Sequence, residues 1–587
     1  MKIQTTKITT MKKGLLITIL AVIAIAAIGA TIYFVSTSDK RQQASMAKQR
    51  ENIEDKFVCY INLDQLAQKG AFSKHITPEN RRLIASAAKA SLENGELSAH
   101  LAAIIEDFNN SGIDFTKPMY GYFVEEGDLC FIASVHDASL LDKSVELISL
   151  VMEEENGMTI NVEKEGDTRS FMMEECVVYY NDSRIALCPI IMEYENAVAC
   201  ATKALERPTE DFAFFGQSDA ALFLNIEELA KMIKNTAEDS RNYYTELIAE
   251  EPEYSDYYNA QIEELNQSLA MLDQYTKDFK DNANILMSLT FDPGRARINL
   301  SVDLGEQVTA SYESLYNRTS NAHLEYFSNN VMLAMNYSIN GPELANTINT
   351  TLNDPTVKRL IDEEIGSNEA AMFLSIASDV LKSINGDVTL GVDDIDGSMV
   401  EKYDYYWDYT YTEPSFESIK AAGIIDVTDK YIIANVGQFG AGFLTKVSED
   451  NYTAQYDNLH FTLQQENNVL FGGVNMDFEK QTRSAIERPW AEEVNNSLGY
   501  MILDIDNIMK NKFIKAMSDE LMDEIDYELR GTYQQATEMF SYIYCVATDV
   551  TTSEIGIVFD DQRTNSLEQT SNLLLPIMME AAISELF

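Results

Sequence analysis

The sequence predicts an α+β fold: an N-terminal transmembrane helix followed by tandemly duplicated strand–helix–hairpin modules, which form mostly antiparallel sheets covered by helices. Two recurring patterns predict the modules. A short apolar strand that leads directly into a helix recurs along the chain, and β-hairpin patterns follow it. An uncharged apolar segment near the N-terminus predicts the membrane helix.

The apolar segment covers residues 15–35, LLITILAVIAIAAIGATIYFV. At about 1.5 Å of rise per residue, a helix of this length covers the roughly 30 Å hydrocarbon core of a bilayer. A cleaved signal peptide with its site at 27–29 is the alternative, but apolar residues continue beyond that site through Val35. We therefore expect a retained signal anchor that attaches the protein to a membrane.

The anchor predicts a single-pass protein of a bacterial membrane, with residues 1–14 as a cytoplasmic tail and residues 36–56 as a stalk. A first hydrophobic segment this near the N-terminus usually directs export, so the large domain is expected on the extracytoplasmic side, periplasmic or at the cell surface. Lysine and arginine residues on the two sides of the segment are nearly balanced, which leaves a domain facing the cytoplasm as the alternative.

The composition describes a strongly acidic protein with enough apolar residues for packed cores. The 587 residues include 94 Asp and Glu against 44 Lys and Arg, a formal charge of −50. This charge argues against nucleic acid and anionic lipid surfaces as partners, since both attract basic proteins. Hydrophobic residues make up 45% of the chain, so we expect several folded domains rather than an acidic disordered tail.

One strand–helix pattern occurs at 59–66, 222–229 and 501–508, and a looser copy lies at 333–339. In each close copy, apolar residues precede an Asn or Asp, which suits a buried strand followed by a helix N-cap. A Gln or Glu three positions later completes a capping box in the first two copies. A polar site is the alternative, but capping already explains the type and spacing of the four residues, Asn62, Asn225, Asn336 and Asp504.

Hairpin patterns follow these copies. The clearest spans 287–304, with Pro and Gly placed for a turn at 292–295. Equivalent patterns lie at 119–133 and 542–559, and a weaker one lies at 387–392.

The spacing of the copies predicts a duplication. Asn62 and Asn336 are 274 residues apart, and Asn225 and Asp504 are 279 residues apart. A fixed long period is typical of tandem units, and chance recurrence of a common strand-plus-cap pattern is the alternative. The predicted domains are a first α+β half at 57–305, a second at 330–562 and a C-terminal helix at 563–587.

The sequence offers no signature of a catalytic, metal or cofactor site. Five histidines occur and none is paired at helical or loop spacing, which argues against a histidine-based zinc site. The sequence lacks the nucleophile elbow, the phosphate-binding loop, the dinucleotide fingerprint and the HExxH motif. A calcium-loop-like segment at 393–397 fails because Val392 would occupy the first ligand position. We therefore predict no catalytic residue, no metal and no cofactor.

Six cysteines are too few for a disulfide framework in a chain of this length. Cys176 and Cys188 flank a hairpin with a three-residue loop at 181–183, which would place them opposite each other. A disulfide between the two is one interpretation, although such facing residues often form strained bonds, and a pair of buried thiols is the other. The remaining cysteines lie in apolar stretches and are interpreted as core: Cys59, Cys130, Cys200 and Cys545.

The most distinctive surface candidate is the segment 403–411, YDYYWDYTY. Tyr and Trp supply a large, rigid contact area with a polar tip, so such a cluster can stack on sugars or hold a partner chain. The alternative is an edge strand or a long loop packed on its own domain. The candidate binding residues are Tyr403, Tyr405, Tyr406, Trp407, Tyr409 and Tyr411.

Three segments carry a resemblance to a known family: FVCYINLDQL at 57–66, GIDFTKPMYGYFVEEGDLCFIASVHDASLL at 112–141 and INGDVTLGVDDI at 384–395. Together with the apolar N-terminus, they resemble the uncharacterised bacterial envelope family known as domain of unknown function 4836. The resemblance implies an exported, membrane-associated bacterial protein without a known activity. Members often look like lipoproteins, whereas this chain has a plain hydrophobic anchor, and the family offers no catalytic residues to carry over.

The expected function is that of a non-catalytic, membrane-anchored envelope protein whose acidic ectodomain binds a protein or an envelope polymer such as a glycan. The membrane contact is expected through residues 15–35. The alternative is a carboxylate-dependent extracytoplasmic hydrolase that acts on glycan or peptide. Convergent carboxylates with raised pKa in a deep cleft would favour that enzyme.

Overall fold

The computed structural model describes residues 57–586, apart from 92–94, 124–128, 157–158, 174–175, 191–193, 208–214, 216, 278, 280–282, 353–377, 379, 407, 430–431, 435–443, 482–486 and 525–526. The described residues form twenty β-strands and fourteen α-helices, joined by turns and short 3-10 segments.

The first ten strands are β1 (Phe57–Ile61), β2 (Met119–Phe123), β3 (Leu129–Ser134), β4 (Glu163–Glu165), β5 (Thr168–Met173), β6 (Cys176–Tyr180), β7 (Arg184–Pro189), β8 (Ala220–Asn225), β9 (Asn284–Asp292) and β10 (Arg295–Asp303). The second ten are β11 (Leu333–Asn340), β12 (Ile384–Asp404), β13 (Tyr409–Val427), β14 (Thr445–Ser448), β15 (Asn451–Tyr456), β16 (Leu459–Glu466), β17 (Val469–Val474), β18 (Gly499–Asp504), β19 (Phe540–Asp549) and β20 (Thr552–Phe559).

The helices are α1 (Leu63–Lys69), α2 (Pro78–Ser91), α3 (Gly95–Glu106), α4 (Ala138–Asn156), α5 (Tyr194–Glu206), α6 (Ile226–Glu250), α7 (Ser255–Thr276), α8 (Glu306–Glu313), α9 (Gly341–Leu352), α10 (Ala491–Val494), α11 (Ile505–Lys510), α12 (Lys512–Glu524), α13 (Tyr527–Glu538) and α14 (Ser566–Leu586).

The described residues have an α+β fold with antiparallel strand pairing. The transmembrane helix in the predicted fold class is wrong for these residues. No helix in the part of the chain that the structure describes is both long and apolar enough to cross a membrane. The predicted tail, anchor and stalk, at 1–14, 15–35 and 36–56, lie outside the described residues. The corrected fold class is therefore α+β for the described residues, with no spanning helix among them.

The chain separates into two compact units. The first unit comprises the described residues of Asp39–Glu228, Asn284–Ile298 and Phe559–Phe587. The second unit comprises those of Leu229–Ala283 and Asn299–Val558. Each unit has its own antiparallel strands and its own apolar cores.

The strands of the first unit lie in the order β4-β5-β6-β7-β3-β2-β1-β8-β9, and all neighbours are antiparallel. Strand β1 pairs with β2 on one side and with β8 on the other. Cys59 faces Gly121 in one ladder and Leu222 in the other, so the first two predicted copies of the strand–helix pattern are direct neighbours.

Helix α5 covers this sheet through a face of small residues. Ala197, Cys200, Ala201 and Ala204 are buried, and their spacing of three and four places them on one side of the helix. The helix contacts β3, β6 and β7. Because these side chains are small, the helix backbone approaches the sheet closely, over a core that includes Tyr122.

The strands of the second unit lie in the order β14-β15-β16-β17-β13-β12-β11-β18-β19, again with antiparallel neighbours. This is the order of the first unit with every strand number raised by ten. Strand β11 takes the place of β1, and β18 takes the place of β8. The shared order is what a duplication would produce, and the duplication stays a prediction.

Two of the four predicted helix caps have the expected geometry. Asn62 Oδ1 accepts a hydrogen bond from the Gln65 N–H at 3.0 Å, and Asp504 Oδ1 accepts one from the Asn507 N–H at 2.9 Å. Each bond satisfies a backbone donor that the first turn of the helix leaves without an intrahelical partner. Asn225, the last residue of β8, directly precedes helix α6.

The assignment of Asn336 as a cap is wrong. It lies inside β11, which continues for four more residues to Asn340. Asn340 precedes helix α9, and its Oδ1 lies 3.5 Å from the Glu343 N–H. With Asn340 as the equivalent of Asn62, the separation becomes 278 residues, against 279 between Asn225 and Asp504.

The Gly112→Ala substitution tests how tightly the first unit is packed where the segment before β2 lies against the start of helix α4. Gly112 has a φ of 92°, and an added Cβ would lie 2.4 Å from the Leu141 backbone nitrogen. We expect a loss of unfolding free energy that exceeds the roughly 1–2 kcal/mol cost of a left-handed conformation, because backbone must also move. Urea unfolding followed by circular dichroism measures the loss.

Gly166→Ala is the matched control, since Gly166 has a φ of 61° and open space around its missing Cβ. This variant should lose only the unfolding free energy that a left-handed backbone costs a residue other than glycine. Equal losses for the two variants would contradict the tight packing at Gly112.

Candidate functional site

The predicted aromatic segment lies at the tip of a long hairpin in the second unit. Strands β12 and β13 have 21 and 19 residues, and they pair from Ile384 with Val427 out to Asp404 with Tyr409. Strand β11 pairs with β12 only up to Val392, and β17 pairs with β13 only from Ala421. Among the described strands, the outer part of the hairpin therefore pairs only with itself, as a two-stranded ribbon.

The base of the ribbon is held by the helices that follow β18. The Asn511 side chain donates hydrogen bonds to Asp394 Oδ1 at 2.9 Å and to the Ile395 carbonyl at 2.7 Å. The ring of Phe513 lies against Gly397, where an added Cβ would come within 2.7 Å of it. These contacts fix the direction in which the ribbon leaves its sheet.

The tyrosines at the tip are exposed. Tyr405 is 88% exposed and Tyr406 is 97% exposed, while Tyr403 and Tyr411 are exposed by 46% and 37%. Trp407 and the side chain of Tyr409 lie outside what the structure describes. The alternative of a loop packed on its own domain therefore does not hold for Tyr405 and Tyr406.

Contacts within the tip brace the turn. The Tyr403 ring meets the Tyr405 ring edge to face at a centroid distance of 4.8 Å. The Tyr403 hydroxyl donates to the carboxylate of Asp408, whose φ is 50°, and this bond raises the pKa of Tyr403. Tyr406 is thereby presented at the end of a turn that its neighbours hold in shape.

The register divides the tip into two faces. Lys402 pairs with Tyr411, and Tyr403 pairs with Thr410. Paired residues of antiparallel strands share a face and successive residues alternate, so Tyr411 and Tyr403 lie on opposite faces. Residues 398–415 contain four carboxylates and one lysine, and Lys402 forms an ion pair with Glu413. The tip is therefore an acidic surface with aromatic side chains on both faces.

The predicted disulfide between Cys176 and Cys188 is not formed, because the hairpin has a different register. Cys188 pairs with Val177, and Cys176 pairs with Pro189. Neighbouring residues of a strand point to opposite faces, so the Cys176 and Cys188 side chains diverge. Both are thiols in the structure.

Cys188 instead lies beside two cysteines that sequence reasoning assigned only to the core. The sulfur atoms of Cys130, Cys188 and Cys200 all lie within 4.8 Å of one another. They come from β3, β7 and α5, so no spacing in the sequence signals their convergence.

A buried polar network in the second unit also escaped the sequence analysis. The Asp387 carboxylate accepts hydrogen bonds from the Ser320 hydroxyl at 2.7 Å and from the Asn321 N–H at 3.1 Å. Asn336 has no exposed surface, and its side chain accepts from the Thr389 hydroxyl at 3.0 Å and lies 3.4 Å from Asp387 Oδ2. The network contains Asn336 but none of the other three residues of the polar site that the sequence analysis weighed as an alternative.

His323 connects this network to β13. Its Nδ1 lies 3.0 Å from Thr389 Oγ1, and its Nε2 lies 3.1 Å from Asp426 Oδ1. Burial opposes ionisation of Asp426, yet the hydrogen bond and charge of His323, with a bond from the Asp387 N–H, lower the pKa of this carboxyl group. His323 is 4% exposed and the Asp426 side chain is 32% exposed, so a buried ring and a partly exposed carboxylate join a loop to the sheet.

Two carboxyl groups of the second unit have the raised pKa that a hydrolase would use. Burial raises the pKa of Asp393 and of Asp504. Asp393 accepts from the Ser328 N–H at 2.9 Å, and Asp504 caps helix α11. Both carboxyl groups therefore hold backbone in place, and among the described residues this pair gives no support to the hydrolase alternative.

The His323→Leu substitution should destabilise the second unit by about 1–3 kcal/mol, because it removes hydrogen bonds to the buried Thr389 hydroxyl and the partly exposed Asp426 carboxylate. Since folding lowers the Asp426 pKa, its contribution is present above the ordinary carboxyl pKa of 3.8 and is lost as the pH falls through the lowered value. The difference between variant and native protein should therefore shrink in acid. Denaturant unfolding followed by the fluorescence of Trp490, which is 1% exposed, measures it.

His460→Leu is the control, because His460 is exposed and its Nδ1 lies 3.3 Å from Gln455 Oε1. The His460→Leu substitution should change the free energy of unfolding by no more than about 0.5 kcal/mol. A His323 variant as stable as this control would show that the network does not hold the loop.

Comparison with known proteins gives a family and no activity. Residues 51–567 match the family described as Domain of unknown function (DUF4836). None of the curated proteins matches the sequence. A solved structure, described as crystal form III of TP0453, shares 12% identity and a TM-score of 0.19, over 44% of this chain and 79% of that chain, and a similarity this low carries no argument. Because the family match covers most of the sequence, the chain belongs to the DUF4836 family.

Proposed function

We propose that the chain is a non-catalytic binding protein whose contact element is the hairpin tip at 403–411, and whose partner is a protein or an envelope polymer. An extracytoplasmic location in a bacterial envelope is part of the proposal and rests on the sequence. The observation that carries the proposal is the exposure of Tyr405 and Tyr406, by 88% and 97%, at the end of a braced ribbon.

The energetics of association favour such an element. Tyrosine is enriched among the residues that dominate binding free energy, because it buries a large rigid surface and keeps a hydroxyl for hydrogen bonding. A ribbon held by Asn511 and Phe513 loses little conformational freedom when a partner binds. The gain from burying the rings is therefore offset by only a small ordering cost.

The charge of the tip limits the class of partner that can bind it. Four carboxylates and one lysine between residues 398 and 415 repel an anionic polymer. Lysine or arginine side chains of a partner protein can pair with the carboxylates and stack on the tyrosine rings. A protein segment with basic residues therefore fits the tip best, and an uncharged glycan is the second choice.

The double substitution of Tyr405→Ala and Tyr406→Ala tests the proposal. A photo-reactive amino acid at position 406 in the native organism first identifies the partner by crosslinking and mass spectrometry. Affinity for that partner is then measured by calorimetry with both purified proteins. We expect the double variant to lose about 2 kcal/mol or more of binding free energy, a rise of roughly 30-fold in Kd, because two central aromatic contacts are removed.

Tyr456→Ala is the matched control, since Tyr456 is 64% exposed at the end of β15. It should bind as the native protein does, and all variants should unfold at the same denaturant concentration. Unchanged affinity of the double variant, or the same crosslinked species from position 456, would refute the tip as the contact element.

A further inference from the structure

Three thiols converge in the core of the first unit. Cys188 Sγ and Cys200 Sγ lie 3.4 Å apart, and both lie within 4.8 Å of Cys130 Sγ. Cys130 and Cys188 have no exposed surface, and Cys200 is 2% exposed. No part of the proposed binding function uses them.

The fold brings these residues together by two independent contacts. Strands β3 and β7 pair from Ser134 with Arg184 up to Phe131 with Leu187, so Cys130 and Cys188 each lie one residue beyond the end of this ladder. Helix α5 then adds Cys200 from above the sheet, since its small-residue face lets it approach closely. A helix with large residues on that face would hold the third sulfur away from the other two.

We propose that Cys130, Cys188 and Cys200 form a site for a thiophilic closed-shell metal ion, zinc(II) or copper(I). Both ions prefer cysteine sulfur over the oxygen ligands that are abundant in this acidic chain. At a metal–sulfur distance of about 2.3 Å, three sulfur atoms around one ion are roughly 4 Å apart. The observed separations are close to that value, so binding needs only small side-chain movements.

The chemistry of binding is a proton exchange. Three S–H bonds release their protons to solvent as three metal–sulfur bonds form, and nothing is oxidised or reduced. A bound ion supplies the positive charge that the deprotonated sulfurs need in an apolar core.

The charge of the site would differ between the two ions. Three thiolates leave a net charge of −1 with zinc(II) and −2 with copper(I). The Arg207 guanidinium lies 4.4 Å from the centre of the ring of Tyr122, which belongs to the same core as the three cysteines. Zinc(II) therefore leaves the smaller charge in this core, but its structural sites use four ligands and the cluster supplies three.

The test must detect sulfur ligands, since 94 acidic residues also bind cations. The full-length chain is purified with reductant under anaerobic conditions and titrated with cobalt(II), as the optical stand-in for zinc, and separately with copper(I) against a coloured competitor. We expect one ion per chain, with thiolate-to-metal absorption in the ultraviolet. Because copper(I) binds thiolates more tightly than cobalt(II) at most sites, geometry identifies the ion: visible d–d bands of tetrahedral cobalt(II) favour zinc, and their absence with one bound copper(I) favours copper.

Serine substitutions at Cys130, Cys188 and Cys200 should each lower the affinity about tenfold or more, since even the outer-shell partners of metal ligands contribute 10- to 100-fold. Cys59→Ser and Cys545→Ser are the controls, because these cysteines lie outside the cluster, and both should bind as the native chain does. Circular dichroism checks that every variant is folded.

The native chain alone can overturn the proposal if the variants fail to fold. Absence of thiolate-to-metal absorption with both ions would leave three buried thiols without a metal function. Binding that persists in every cluster variant would place the ion on surface carboxylates and would equally reject the site.

Discussion

Backbone pairing around two inner strands, β1 in the first unit and β11 in the second, is the constraint on which the rest of the structure depends. Each strand is hydrogen-bonded on both sides, so one register decides which side chains of its neighbours enter the core. A shift of one residue would turn Tyr60 and Phe223 from the core toward the opposite face. The helix caps, the cysteine cluster and the base of the long hairpin all take their positions from these ladders.

The features that could be predicted from the sequence are local ones. Residue type and spacing within one helical turn predict the caps at Asn62 and Asp504. They also predict the strand–helix copies around these two residues. The aromatic tip was equally visible, because its residues are consecutive. In the looser copy at 333–339 the cap was assigned to Asn336, four residues too early. The sequence carries no local signal for the end of this strand, which continues to Asn340.

The features that could not be predicted depend on contacts between distant elements or on a register. The loop between the paired residues Tyr180 and Ile185 has four residues rather than three, and this single residue turns Cys176 away from Cys188. Cys130 joins Cys188 only through the pairing of β3 with β7. His323 meets Asp426 across 103 positions of sequence, a contact for which a single sequence carries no signal.

The two units share one strand order but differ in one hairpin. Strands β2 and β3 have five and six residues, whereas their equivalents β12 and β13 have 21 and 19. The extra length lies beyond the part of the hairpin that pairs with the sheet, so it can change without disturbing the ladders beneath it. If the units arose by duplication, one copy kept a compact connection while the other acquired an appendage free to diversify. Substitutions could then accumulate in the appendage, residue by residue, at almost no penalty to folding.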